Sequence, residues 1–226
     1  MPALVSVNLV FQILDDPGGT PGRTAIDKRP HQGRVYIAER GLSGDAQMDT
    51  RDHGRMWQAA YAYAEEDLDW WRGELQRDLP PGTFGENLTT SGLDVTGAVI
   101  GEVWRVGEGP DAVLLEVTTP RIPCRTFANF LGEAGWVRRF SERGAPGAYL
   151  RVLHTGYVQA GDPVEVIRRP DHGVRIGDVF PAVRSERAQA LVSAHDSGAV
   201  DVVGELYDEA VRVLGRAEHA AVPAAQ

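Results

Sequence analysis

Short β-like runs, each closed by glycine, proline or aspartate, recur along the first three-quarters of this chain, and they restrict its fold more than any other feature. Leu4–Leu14, Arg34–Glu39, Gly85–Thr90, Val99–Val106, Ala112–Thr118, Tyr149–His154 and Pro163–Arg168 read as about seven strands. Few helical patterns lie between them, so the expected fold class is mainly β with α, an antiparallel barrel rather than a doubly wound sheet. Trp57, Tyr61, Ala64, Leu68, Trp71 and Leu75 recur at three- and four-residue steps, which predicts one amphipathic helix ending near Pro80-Pro81-Gly82. Thr126–Phe140 predicts two short helical pieces broken at Gly132 and Gly135. Beyond a boundary at Arg168–Gly173, Ala182–Ala194 and Val200–Glu218 read as helices, and Ala220–Gln226 as a disordered tail. The expected division is a barrel domain over 1–169 and a helical appendage over 170–226.

Composition narrows the function classes. A net charge of −9 argues against nucleic acid as the main partner, because phosphate neutralisation needs a basic face. No stretch reaches the roughly 18 apolar residues of a membrane helix, so no membrane partner is expected. Met1–Val10 lacks a basic region followed by a long apolar run, and a cytoplasmic location is expected. The single cysteine excludes an internal disulfide framework, and no Cys/His spacing resembles a zinc site.

That cysteine, Cys124, sits in Pro120-Arg121-Ile122-Pro123-Cys124-Arg125-Thr126-Phe127. Two prolines hold the chain extended, and Arg121 and Arg125 would favour a thiolate, which is both a nucleophile and a soft metal ligand. A buried cysteine packed as a small hydrophobe is the other reading. A second segment, Gly41-Leu42-Ser43-Gly44-Asp45 followed by Asp49, Asp52, His53 and Gly54, offers Asp45 and His53 for acid–base or positioning work, or is simply a turn. A third, Thr83-Phe84-Gly85-Glu86-Asn87-Leu88, places Glu86 and Asn87 between apolar residues, where they either close a turn or line a pocket.

Together these segments resemble a MOSC domain, the fold shared with the C-terminal domain of molybdenum cofactor sulfurases, and within it a YiiM-like branch. The resemblance also takes in Arg23-Thr24-Ala25-Ile26-Asp27-Lys28 and Gly101-Glu102, and the helical tail resembles a shortened three-helix appendage. It implies a β-barrel carrying molybdenum cofactor (molybdopterin), with Cys124 as metal ligand. Arg23, Thr24, Lys28, Asp45, Asn87, Arg121 and Arg125 become candidate cofactor contacts. His53, Glu39 and Glu86 become candidate catalytic groups beside Cys124. The implied activity is reduction of N-hydroxylated small molecules, with an electron-donor protein as partner and a homo-oligomer as an allowed state. Two alternatives stay open: a cofactor-free enzyme using Cys124 with His53 or Glu86 on a specialised metabolite, and a persulfide sulfur carrier. Where the family reads Gly-Pro-x-Lys/Arg-Ala after His-Gly, this chain reads Arg55-Met56-Trp57-Gln58-Ala59, which replaces a basic residue with Gln58 and adds Trp57 beside the expected pocket.

Overall fold

The computed structural model describes residues 1–17, 19, 22–46, 48 and 55–221. In chain order the elements are β1 (Ala3–Val10), β2 (Leu14–Asp15), β3 (Arg23–Thr24), β4 (Lys28–Pro30), β5 (Val35–Ala38), β6 (Gly41–Leu42), β7 (Ala60–Ala64), α1 (Glu65–Leu75), β8 (Leu88–Ser91), β9 (Val103–Val106) and β10 (Val113–Pro120). They continue with α2 (Arg125–Leu131), α3 (Trp136–Arg143), β11 (Ala148–His154), β12 (Gly156–Val158), β13 (Val164–Arg168), α4 (Ser185–Asp196) and α5 (Gly204–Ala221).

Eight strands form one sheet in the order β13-β9-β10-β11-β7-β8-β1-β4, and β12-β5-β6 and β2-β3 form two small ones. The expected antiparallel barrel is corrected on two counts. First, β7 and β8 run parallel, because α1 lies between them and returns the chain in the same direction. Second, no continuous ladder closes the sheet among the described residues. Its ends approach, with an isolated bridge between Ala3 and Pro163 and a hydrogen bond from Leu4 N to Asp162 O at 2.9 Å, but β13 is laddered only to β9.

The single helix expected from Trp57 to Leu75 is also corrected. Its first half is the strand β7, preceded by one turn of 3-10 helix at Met56–Gln58. β7 is central, between β11 and β8, and all five of its residues are buried. Ala60, Ala62 and Ala64 face the main hydrophobic core, whereas Tyr61 and Tyr63 face a separate aromatic core. With both faces buried, the strand carries no polar alternation to reveal its period of two.

The aromatic core is built from Tyr63, Trp71, Phe84, Phe127, Trp136 and Phe140, with ring centroids such as Trp71–Trp136 at 4.5 Å and Phe84–Phe127 at 5.1 Å. It fixes α1, α2 and α3 on one side of the sheet. The two helical pieces predicted around Gly132 and Gly135 are α2 and α3, and both glycines have left-handed φ values, 72° and 64°. Two α-helices follow β13, as the sequence pattern predicts. Leu191 of α4 and Leu206 of α5 join the same core as Leu115 and Val117 of β10. Of the predicted tail, residues 220 and 221 belong to α5, and 222–226 lie outside the described residues. No helix among the described residues is long and apolar enough to cross a membrane.

Candidate functional site

β10 ends at Pro120, paired with Ala148 of β11, and Arg121–Pro123 then continue without hydrogen-bonded secondary structure to Cys124. Cys124 is the N-cap of α2, with extended backbone angles (φ −121°, ψ 172°). Its thiol is half-buried and opens onto a cleft of about 400 Å³. β3, β4 and the residues between them contribute Arg23, Thr24, Ala25, Ile26 and Lys28 to its lining. Gln58, Tyr61, Gly85, Asn87 and Tyr149 also line it. The rim includes Ile122, an exposed apolar side chain next to the cysteine segment.

Three cations (Arg23, Lys28 and Arg121) and one carboxylate (Asp16) are the charged residues among the described lining, in a chain of net charge −9. Cations outnumber carboxylates among the described lining, which suits an anionic ligand. Arg121 is buried, donates to the Phe84 carbonyl, and lies 4.2 Å from the Phe127 ring centroid and 5.0 Å from that of Tyr61. Burial works against its charge, but the neighbouring Tyr61, Tyr149 and Cys124 side chains outweigh this and hold it above the usual guanidinium value. Arg23 is exposed and makes no ion pair among the described residues. Lys28 differs: burial pulls its ammonium below the usual lysine value, while Asp45, with both oxygens 2.5 Å from Nζ, opposes that shift.

Asp45 and Asn87 act as a connected pair beneath the cleft. Asn87 Nδ2 donates to Asp45 Oδ2 at 2.8 Å, and Val10 N donates to Asp45 Oδ1 at 2.9 Å. Asn87 Oδ1 accepts from Tyr61 N at 3.2 Å. The cross-chain approach is fixed at Gly82, which has a left-handed φ of 91° and packs so closely on β4 that an added Cβ would lie 2.8 Å from the Lys28 carbonyl carbon.

Other expected site residues are placed elsewhere. Glu86 is fully buried and does not line the cleft; Oε1 accepts from Gly82 N at 2.5 Å and Oε2 from Phe84 N at 3.0 Å. It closes the 82–86 turn. Glu39 is exposed in the turn between β5 and β6, outside the described lining, and Arg125 is exposed on α2. His53, with Asp49, Asp52 and Gly54, lies outside the described residues. Trp57 packs against the main core, and Arg55 pairs with Glu205 of α5, so neither lines the cleft; Gln58 does.

Sequence reasoning missed Asp16, Tyr61 and Tyr149 as lining residues. Asp16 precedes the turn-forming run Pro17-Gly18-Gly19, and Tyr61 lies in the stripe that predicts a helix. Burial pushes both phenols up, so they face the cleft as neutral hydroxyl-bearing rings, and Tyr61 Oη donates to the Pro146 carbonyl at 2.8 Å.

Known proteins resemble this chain in sequence and in fold. A profile described as the MOSC domain matches residues 49–165. The uncharacterized protein YflK of Bacillus subtilis (strain 168) is 32% identical over 174 residues, 77% of this chain and 77% of that protein. YiiM of Escherichia coli (strain K12) is 30% identical over 156 residues, 68% of this chain and 67% of that protein. A Gibberella moniliformis protein named "Reductase" is 33% identical over 150 residues, 65% of this chain but 26% of its own length. The crystal structure of YiiM from Geobacillus stearothermophilus superposes with a TM-score of 0.73 at 21% identity, covering 95% of this chain and 100% of the other, and supports the fold. The chain belongs to the MOSC domain family.

Proposed function

We propose that the cleft holds an anionic pterin-based molybdenum cofactor, with Cys124 as the protein's metal ligand, and that the chain is an oxidoreductase reducing N-hydroxylated small molecules. The observation that carries this reading is the half-buried Cys124 thiol opening onto a cleft whose described lining includes Arg23 and Arg121, neither in an ion pair among the described residues. The donor set suits such a group. A single soft sulfur is enough for a metal that arrives already chelated, and guanidinium groups suit a phosphate. The name of the Gibberella protein, "Reductase", also favours reductive chemistry.

When bound, the cofactor supplies the two-electron redox chemistry, with electrons delivered by a donor protein. The chain's own residues bind and orient. Cys124 contributes the sulfur, placed by the Arg121–Pro123 segment. Arg23 and Arg121 offset ligand charge, whereas the charge of Lys28 is largely answered by Asp45. Ile122 and Pro123 present apolar surface to the substrate. Tyr61 and Tyr149 retain their protons and keep that wall of the cleft uncharged.

Elemental analysis of the chain after cofactor-proficient expression tests the reading. Molybdenum at about one per chain is expected, with its loss in Cys124→Ser. Full molybdenum content in that variant would overturn the ligand assignment.

A further inference from the structure

We propose that Asp16, Thr126 and Gly19 form a clasp that holds the β2–β3 hairpin against α2, and that Asp16 and Thr126 are thereby positioning residues for Cys124. The inference rests on the proposed function only in taking Cys124 as the cleft's working group.

The hairpin is short. Its ladder has two residue pairs, Leu14 with Thr24 and Asp15 with Arg23, extended by hydrogen bonds from Asp16 N to Gly22 O at 2.8 Å and from Gly22 N to Gly19 O at 2.9 Å. A ribbon of that size does not hold itself in place and needs a tertiary anchor. The anchor joins residues 110 apart in sequence: Thr126 Oγ1 donates to Asp16 Oδ2 at 2.5 Å. Asp16 is 5% exposed, so the contact is sheltered from competing water. Gly19 lies directly on this pair. An added Cβ there would press on the Asp16 carboxylate, 3.0 Å from Cγ and 3.2 Å from Thr126 Oγ1, so a larger residue would displace the pair.

What the clasp joins gives it a consequence. Thr126 is two residues beyond Cys124, and both line the cleft. Asp16, Arg23 and Thr24 line it from the hairpin. Holding hairpin and helix together therefore sets the spacing between the cysteine and the Arg23 wall, and limits access to the sulfur.

Cys124 is the chain's single cysteine, so a thiol reagent reports on it alone. The test is the rate of alkylation by iodoacetamide on the full, cofactor-free chain, read by mass spectrometry where circular dichroism shows the native fold. Thr126→Val is expected to label at least about fivefold faster, as loss of a hydrogen bond to a charged group favours local opening. Gly19→Ala should move in the same direction, and Thr126→Ser should return the wild-type rate. Wild-type labelling rates in both Thr126→Val and Gly19→Ala would overturn the clasp. Because the assay uses no cofactor, failure of molybdenum binding leaves its result intact, and the reverse also holds.

Discussion

Lys28 Nζ lies 2.5 Å from both carboxylate oxygens of Asp45, with both side chains under a tenth exposed. The two were expected as separate cofactor contacts. The structure makes them one neutralised unit, which leaves Arg23 and Arg121 as the cations toward an anion among the described lining. Removing one member strands the other. Asp45→Asn is expected to cost about 3 kcal/mol, the scale for leaving a buried charge uncompensated. Urea unfolding of the variant measures it, and a cost below about 1 kcal/mol would show that the pair is better solvated than its burial indicates.

Glu86 was a candidate catalytic group, and its geometry assigns it to the backbone. Burial pushes its carboxyl above the usual range, opposed by amide hydrogen bonds that include those from Gly82 and Phe84. Glu86→Gln places an amide donor against backbone donors. It is expected to destabilise the fold by about 2 kcal/mol. In the loaded protein it should leave turnover per folded molecule within about twofold, since a change near zero in ΔG‡ is a factor near one. A loss of turnover without a loss of stability would return Glu86 to the chemistry.

Arg23 is exposed and unpaired among the described residues, so its charge is available to a ligand. Arg23→Ala is expected to weaken cofactor retention roughly three- to tenfold while changing stability by less than about 0.5 kcal/mol. Equilibrium dialysis of molybdenum against the wild type, with parallel thermal melts, separates the two effects. Unchanged retention would place the anion elsewhere in the cleft.

His172 gives a pH dependence with a definite sign. Its Nδ1 accepts from Val174 N at 3.1 Å, so the proton sits on Nε2, 2.9 Å from the Ile100 carbonyl. Burial lowers its pKa below the usual 6.5, opposed by the bond to Ile100. As pH falls, the unfolded chain takes up this proton before the folded one does. The contribution of the neutral ring to stability is thus full above pH 6.5 and is lost as pH falls through the folded value. The melting temperature is expected to decline as pH falls below about 6.5. His172→Gln should flatten part of that slope, and an unchanged slope would sink the assignment.

The sequence alone determined the family, the isolated cysteine in its rigid Arg-Ile-Pro-Cys segment, the glycine-broken helices α2 and α3, and the two C-terminal helices. These are local signals, carried by residues whose type and spacing restrict the backbone directly. Tertiary structure decided the rest. Tyr61 and Tyr63 became strand residues because β7 is buried on both faces, with alanines toward one core and tyrosines toward another. Lys28 met Asp45, and Thr126 met Asp16, through contacts 17 and 110 residues apart that no local spacing encodes. Charge and exposure are properties of the packed molecule, so only the fold could say that Glu86 serves a turn while Arg23 and Cys124 face the cleft.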